Sequence, residues 1–193
     1  MRLSYRVKQG CMVETEEERD WVKQSLQGDD AAFAALVLRY QHMIYSVAYR
    51  MTGSLAEAED LTQEAFVQAF RQLSSYRAEA RFSSWLYRIA LNQCLNWQKR
   101  RQRIEMLHTE WGRRQEMTSE PETQQTRLVQ EALLKLNPKQ RAAIILTTYD
   151  GLSHAQAARV LGCSETTVSW RVFAARAKLK RILGRQQKAK NDE

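Results

Sequence analysis

Apolar residues in this chain recur at three- and four-residue steps and almost never alternate, a pattern that predicts a nearly all-α protein. The clearest stripe is Phe33, Leu36, Val37, Tyr40, Ile44, Val47, Ala48 and Met51. It predicts one long helix with a single buried face, and Asp30 is placed to cap it. A shorter helix is expected over residues 14–27, closed by Gly28. Thr52-Gly53-Ser54 reads as a turn, and Ser54 with Glu57 as a capping box. The helix that follows, over 55–73, should bury Ala58, Leu61, Ala65, Ala69 and Leu73. After a loop over 74–80, a helix over 82–101 turns Phe82, Leu86, Ile89 and Ala90 inward.

The stripe then stops. Residues 104–126 are polar and hold Gly112, Ser119 and Pro121, which reads as a flexible linker able to span roughly 70–80 Å when extended. Helices resume over 127–136, ending at Asn137-Pro138, and over 139–150, ending at Gly151. Residues 1–13 show no periodicity and read as a flexible extension, with Met12 an alternative start. The expectation is therefore two small helical domains, 14–103 and 127–185, joined by the linker 104–126 and followed by a basic tail, 186–193.

The second domain carries a recognisable hairpin. Ser153 caps a helix with Ala157, Ala158 and Leu161 inward, Gly162-Cys163-Ser164 makes a tight turn, and Glu165 opens a helix with Val168, Val172 and Ala175 inward. This is helix-turn-helix spacing. Thr166, Thr167, Ser169, Trp170, Arg171, Phe173 and Arg176 are left facing outward, where they can enter a major groove. The hairpin points to duplex DNA and not to one class of regulator.

Charge sharpens the picture. The net +8 is unevenly placed: residues 1–125 hold 17 Lys+Arg and 17 Asp+Glu, whereas 126–193 hold 13 against 5. The first part is itself divided, with 4 basic against 11 acidic residues over 14–64 and 8 against 1 over 71–103. Two basic blocks suggest two polyanion contacts, and the acidic block suggests a basic protein partner. Within the first basic block, residues 74–103 interleave rings (Tyr76, Phe82, Trp85, Tyr87, Trp97), amides (Asn92, Asn96) and cations (Arg77, Arg81, Arg88, Lys99). Rings stack on bases, amides read base edges and cations follow phosphates, so the segment suits unstacked nucleic acid. An amphipathic core helix with a basic end accounts for the inner stripe equally well. The second row, Trp85, Arg88, Asn92, Asn96 and Lys99, is not apolar and weakens that reading.

Other chemistries find little support. Cys11, Cys94 and Cys163 are far apart, with no CxxC or HxxxC spacing for zinc and no disulfide framework. His42, His108 and His154 lie in separate segments, and the Asp60/Glu64 pair alone is a poor Mg²⁺ site. No cofactor or metal and no catalytic residue is expected. No apolar run approaches a membrane span and no signal-peptide core precedes residue 14, so a cytoplasmic protein without membrane insertion is expected.

The stretches FAALVLRYQHMIYSVAYRM, EDLTQEAFVQAF, SYRAEARFSSWLYRIALNQCLN and LNPKQRAAIILTTYDGLSHAQAARVLGCSETTVSWRVFAARAKL follow one another in order, and together they resemble the bacterial RNA polymerase sigma factors of extracytoplasmic-function type. The likeness covers about residues 21–183. It implies that 14–103 is the domain that binds core polymerase and melts the -10 element, and that 127–185 docks on the β flap and reads the -35 element. It implies that Asp60, Gln63 and Glu64 meet the coiled coil of the β′ clamp. It implies that Tyr76, Trp85 and Asn92 take an unstacked -10 base; Arg77, Arg88 and Asn96 of the same basic block are expected to contact the -10 DNA with them. An anti-sigma partner is the family's usual control. Trp170-Arg171 and Ala174 depart from the family's common pattern, so no -35 preference carries over. The alternative is a dimeric helix-turn-helix regulator that is not a polymerase subunit.

Overall fold

The computed structural model describes residues 15–78, 80–107 and 124–191, and among these every regular element is helical. The predicted extension, 1–13, and most of the predicted linker lie outside the described residues. The linker's two edges are helical.

Four helices build the first half: α1 (Glu16–Leu26), α2 (Asp30–Thr52), α3 (Leu55–Gln72) and α4 (Phe82–Leu107). Thr15 caps α1 by accepting from the Glu18 amide at 3.2 Å. Asp29, not Asp30, caps α2: its Oδ1 accepts from the Ala31 and Ala32 amides at 2.8 and 3.2 Å, and Asp30 becomes the first-turn acid. The predicted α2 stripe is buried except Val37, which packs against the core from its edge. At Ser54 the amide of Glu57 donates to Oγ at 3.4 Å, one limb of the expected box. A 3-10 turn, Leu73–Ser75, ends α3. α4 continues six residues past the expected end at 101.

Glu18 sits among the apolar residues at 0 % exposure. Its carboxylate accepts from the Tyr40 hydroxyl and pairs with Arg39 Nε at 3.3 Å, so the buried charge is matched.

The second half holds α5 (Gln124–Leu134), α6 (Pro138–Ile144), a π-helical turn (Ile145–Tyr149), α7 (His154–Leu161) and α8 (Glu165–Asn191). Asn137 caps α6, with Pro138 in the first turn where its missing N–H costs nothing. Ser153 and Gln156 form the complete capping box at α7, through contacts of 2.9 and 3.2 Å.

The halves are not held apart. One continuous apolar core runs from Val22 to Ala175, and α2 and α4 pack against α5, α6 and α7. Polar groups close this seam at the C-terminus of α2, where the last helix carbonyls run out of helical donors; that of Tyr49 is also met by the Gly53 amide, at 2.7 Å. Gln130 donates across it to the carbonyls of Tyr49 and Arg50 at 3.1 and 3.4 Å, and within the first half Gln98 donates to that of Met51 at 2.8 Å. The buried Arg141 donates Nε to Leu133 O at 2.8 Å, Nη2 to Leu134 O and Leu136 O at 2.6 and 3.2 Å, and Nη1 across the seam to Met51 O. Burial lowers Arg141 to about 10, which leaves it charged at neutral pH. Gly53 ends α2 at φ 76°, and a Cβ there would lie 2.5 Å from Leu134 Cδ1.

Candidate nucleic-acid and protein interfaces

Three surfaces gather the residues singled out by sequence. On α3, Asp60, Gln63 and Glu64 are exposed. One side of this acidic face borders a groove of about 520 Å³ whose other wall is α4, with Trp97, Arg100 and Ile104. Arg101 lies over the Trp97 ring at 5.4 Å. The acidic face is therefore edged by cations of its own chain, and its open side is the α3 surface.

On the second surface, Arg88, Asn92 and Asn96 are exposed in one row at i, i+4, i+8 along α4, as expected. Arg77 is exposed in the loop before it. The rings differ from expectation. Tyr76 is only 8 % exposed, and its hydroxyl donates to Ala80 O at 2.6 Å. Its ring meets Phe82 edge-on at 5.7 Å and Trp85 at 5.3 Å, and Phe82 meets Trp85 at 5.5 Å. Tyr76 thus does not present a free face for stacking. It braces Trp85, which is half-buried. Ala78, at φ 53°, turns the loop between them.

The third surface is the α7–α8 hairpin. Val168, Val172 and Ala175 are buried against Ala157, Ala158 and Val160, and Gly162 makes the turn at φ 60°. Ser164 accepts from the Thr167 amide at 3.2 Å and caps α8. The seven outward residues divide. Ser164 Oγ meets the hydroxyls of Thr166 and Thr167 at 3.2 and 2.8 Å. Ser169 Oγ lies 2.8 Å from His154 Nδ1, and Arg171 donates to Cys163 Sγ at 3.4 Å. Trp170 and Phe173 stand in solvent, 65 % and 73 % exposed, and Arg176 is exposed beyond them.

Sequence reasoning missed the seam. Arg50 lies over the Tyr149 ring at 4.6 Å. Beside it Asp150 is raised to about 7, because burial penalises its charge more than Arg50 and a hydrogen bond from Tyr87 favour it. The residue is partly exposed, but its Oδ2 is sealed from solvent. The signal was a single arginine, Arg141, heading the apolar run Ala142–Leu146, although nothing in that pattern names its acceptors. The described residues include no cluster of three or more His, Cys, Asp or Glu able to hold a metal, and no described helix is long and apolar enough to cross a membrane. Cys94 is buried, which pushes its thiol up to about 12.

The family models Sigma-70 region 2 and Sigma-70, region 4 match residues 36–104 and 126–179. The chain is 31% identical over 186 residues to the RNA polymerase sigma-H factor of Pseudomonas aeruginosa, covering 89% of this chain and 96% of that protein. It is 36% identical over 169 residues to the ECF RNA polymerase sigma-E factor of Escherichia coli K12, covering 80% and 88%. Among solved structures it is similar to the sigma factor RpoE of Bartonella quintana in complex with the anti-sigma factor NepR. There the TM-score is 0.69 and the identity 25%, covering 79% of this chain and 96% of that one.

Proposed function

The chain belongs to the extracytoplasmic-function sigma factors of bacterial RNA polymerase, and from that premise we propose how its surfaces divide the work. As a sigma factor it directs promoter-specific transcription initiation with core polymerase. The exposed acidic face of α3, with Asp60, Gln63 and Glu64, meets the basic coiled coil of the β′ clamp. The row Arg88, Asn92 and Asn96, with Arg77 and the braced Trp85, takes unstacked bases of the -10 element. Unpairing a base costs a few kcal/mol, and stacking at roughly 1–3 kcal/mol per base can offset it. Tyr76 holds the Trp85 ring in place. The second half docks on the β flap and sets α8 in the major groove of the -35 element.

The chain has no catalysis of its own, needs no metal or cofactor, works in the cytoplasm, and is held in check by an anti-sigma protein, as the RpoE relative is bound by one. The observation that carries this reading is the presence, in one chain, of an exposed duplex-reading hairpin and an exposed amide-and-cation row beside an aromatic cluster. A dimeric repressor has no use for the second. Run-off transcription with purified core enzyme tests the reading. A promoter-dependent transcript is expected only when the chain is added. Its absence from every genomic template, with core binding confirmed, overturns the reading.

A further inference from the structure

We infer that Trp170, with Phe173 beside it, selects the upstream element by apolar contact with thymine methyl groups. The inference rests on the assignment of α8 to duplex DNA and adds the chemistry by which it discriminates.

The argument starts from which side chains on α8 remain available. The hydroxyls of Thr166 and Thr167 are engaged with Ser164, Ser169 is engaged with His154, and Arg171 is drawn back to Cys163. Each of these contacts lies inside the hairpin and helps to hold it. Most of the groups that would read base edges through hydrogen bonds are therefore already committed, the exposed Arg176 excepted. The two largest outward side chains are not. Trp170 is the sixth residue of α8 and Phe173 the ninth, near the helix N-terminus, the end a recognition helix presents to base edges.

Trp170, Phe173, Ala174 and Ala177 follow the i, i+3, i+4, i+7 spacing of a single helical face. The two alanines keep that face low, so a groove wall can approach closely. An exposed apolar stripe of this kind can also seat a protein helix. The charge around it argues for DNA: from Thr166 to Lys190 there are eight Lys+Arg and no acid. Cations flanking the stripe suit phosphates on either side of a major groove. In that groove the one apolar feature a base pair offers is the thymine C5 methyl.

Replacing thymine by uracil removes that methyl and leaves the hydrogen-bonding edge unchanged. Burying one such group should be worth about fourfold in affinity. The test uses the full chain with core polymerase and a duplex library randomised upstream of a fixed melting region. Each thymine of the selected upstream element is replaced by deoxyuridine in turn, and binding is compared for the wild type and Trp170→Ala. At one or two thymines uracil should weaken wild-type binding about fourfold, and Trp170→Ala should bind both bases equally there. Trp170→Phe should keep part of the discrimination, and thermal melting should show each variant folded.

Uracil-insensitive binding at every position, or discrimination that survives Trp170→Ala, overturns the inference while promoter selection still stands. The stripe would then belong to a protein partner. Failure to select any upstream element overturns the assignment of α8 to duplex DNA together with the inference.

Discussion

At the start of α4 the aromatic rings face one another, and on α8 they face solvent. Tyr76, Phe82 and Trp85 pack into a cluster, and the polar row of α4 stands outside it. On α8 the arrangement is inverted: hydroxyls and an arginine are engaged within the hairpin, and Trp170 and Phe173 stand free. Each arrangement suits its proposed target. An unstacked base offers a broad face and open edges, so a braced ring beside free amides and cations can hold it. Paired bases in a major groove offer only edges, so apolar reach discriminates there through methyl groups. Aromatic content alone therefore says little about a nucleic-acid surface. What matters is which groups the fold leaves unengaged.

The severest way to break the comparison is to part the two halves. Arg141→Met removes a donor from four carbonyls, of which that of Met51 keeps Gln98, and should cost about 3–5 kcal/mol in urea unfolding. A loss under about 1 kcal/mol would mean that Arg141 adds little to the apolar contacts and the Gln130 hydrogen bonds that also hold the seam.

The rings themselves give the next contrast. Trp85→Ala should lower stability by about 2–3 kcal/mol, since it opens the cluster around Tyr76 and Phe82. Trp170→Ala should leave thermal melting within about 0.5 kcal/mol of wild type. Equal destabilisation would erase the distinction between a packed ring and a free one.

Asp150 should make the seam sensitive to pH. Burial raises it from an ordinary 3.8 to about 7, so the folded chain keeps a proton that the unfolded chain has lost. Stability should fall as pH rises from about 4 to about 7, by up to about 1.4 kcal/mol per unit, and this contribution should be constant above that range. Asp150→Asn should remove the slope. A variant with an unaltered slope would move the effect to another group.

Charge reversal probes the acidic face. Glu64→Arg should weaken binding to core polymerase by about tenfold, roughly 1.4 kcal/mol, without altering the fold. Unchanged affinity in a pull-down titration would remove α3 from the clamp contact. A smaller loss of function is expected at Asn92. Asn92→Ala should slow promoter opening a few-fold, by roughly 1 kcal/mol, and leave recruitment intact. Equal loss of both would give Asn92 a structural part.

Much of this was legible in the sequence. The α2 stripe, the hairpin with its glycine turn, and the polar row on α4 all follow from side-chain periodicity, which the fold obeys. Two kinds of feature were not legible. At helix ends the choice between neighbouring residues depends on backbone geometry, so Asp29 took the role expected of Asp30. Along the seam the acceptors are main-chain carbonyls, which every sequence carries. Arg141 therefore advertised a buried cation without naming what it binds. Tyr76 was misplaced for a related reason: periodicity puts a ring near the loop, but only packing decides which face it shows.

Gly53 ties a local turn to a distant contact through one absent methyl. Its backbone requires a left-handed residue, and its bare Cα makes room for Leu134, which lies 81 positions further along. A substitution at 53 is therefore never a purely local event, because it also presses on the tip of a side chain in the other half. That tip is flexible, so a smaller residue at 134 should recover the steric part of the loss and none of the backbone part. The two positions should be epistatic in a double-mutant cycle, and a lineage that lost the glycine would be expected to change its partner as well.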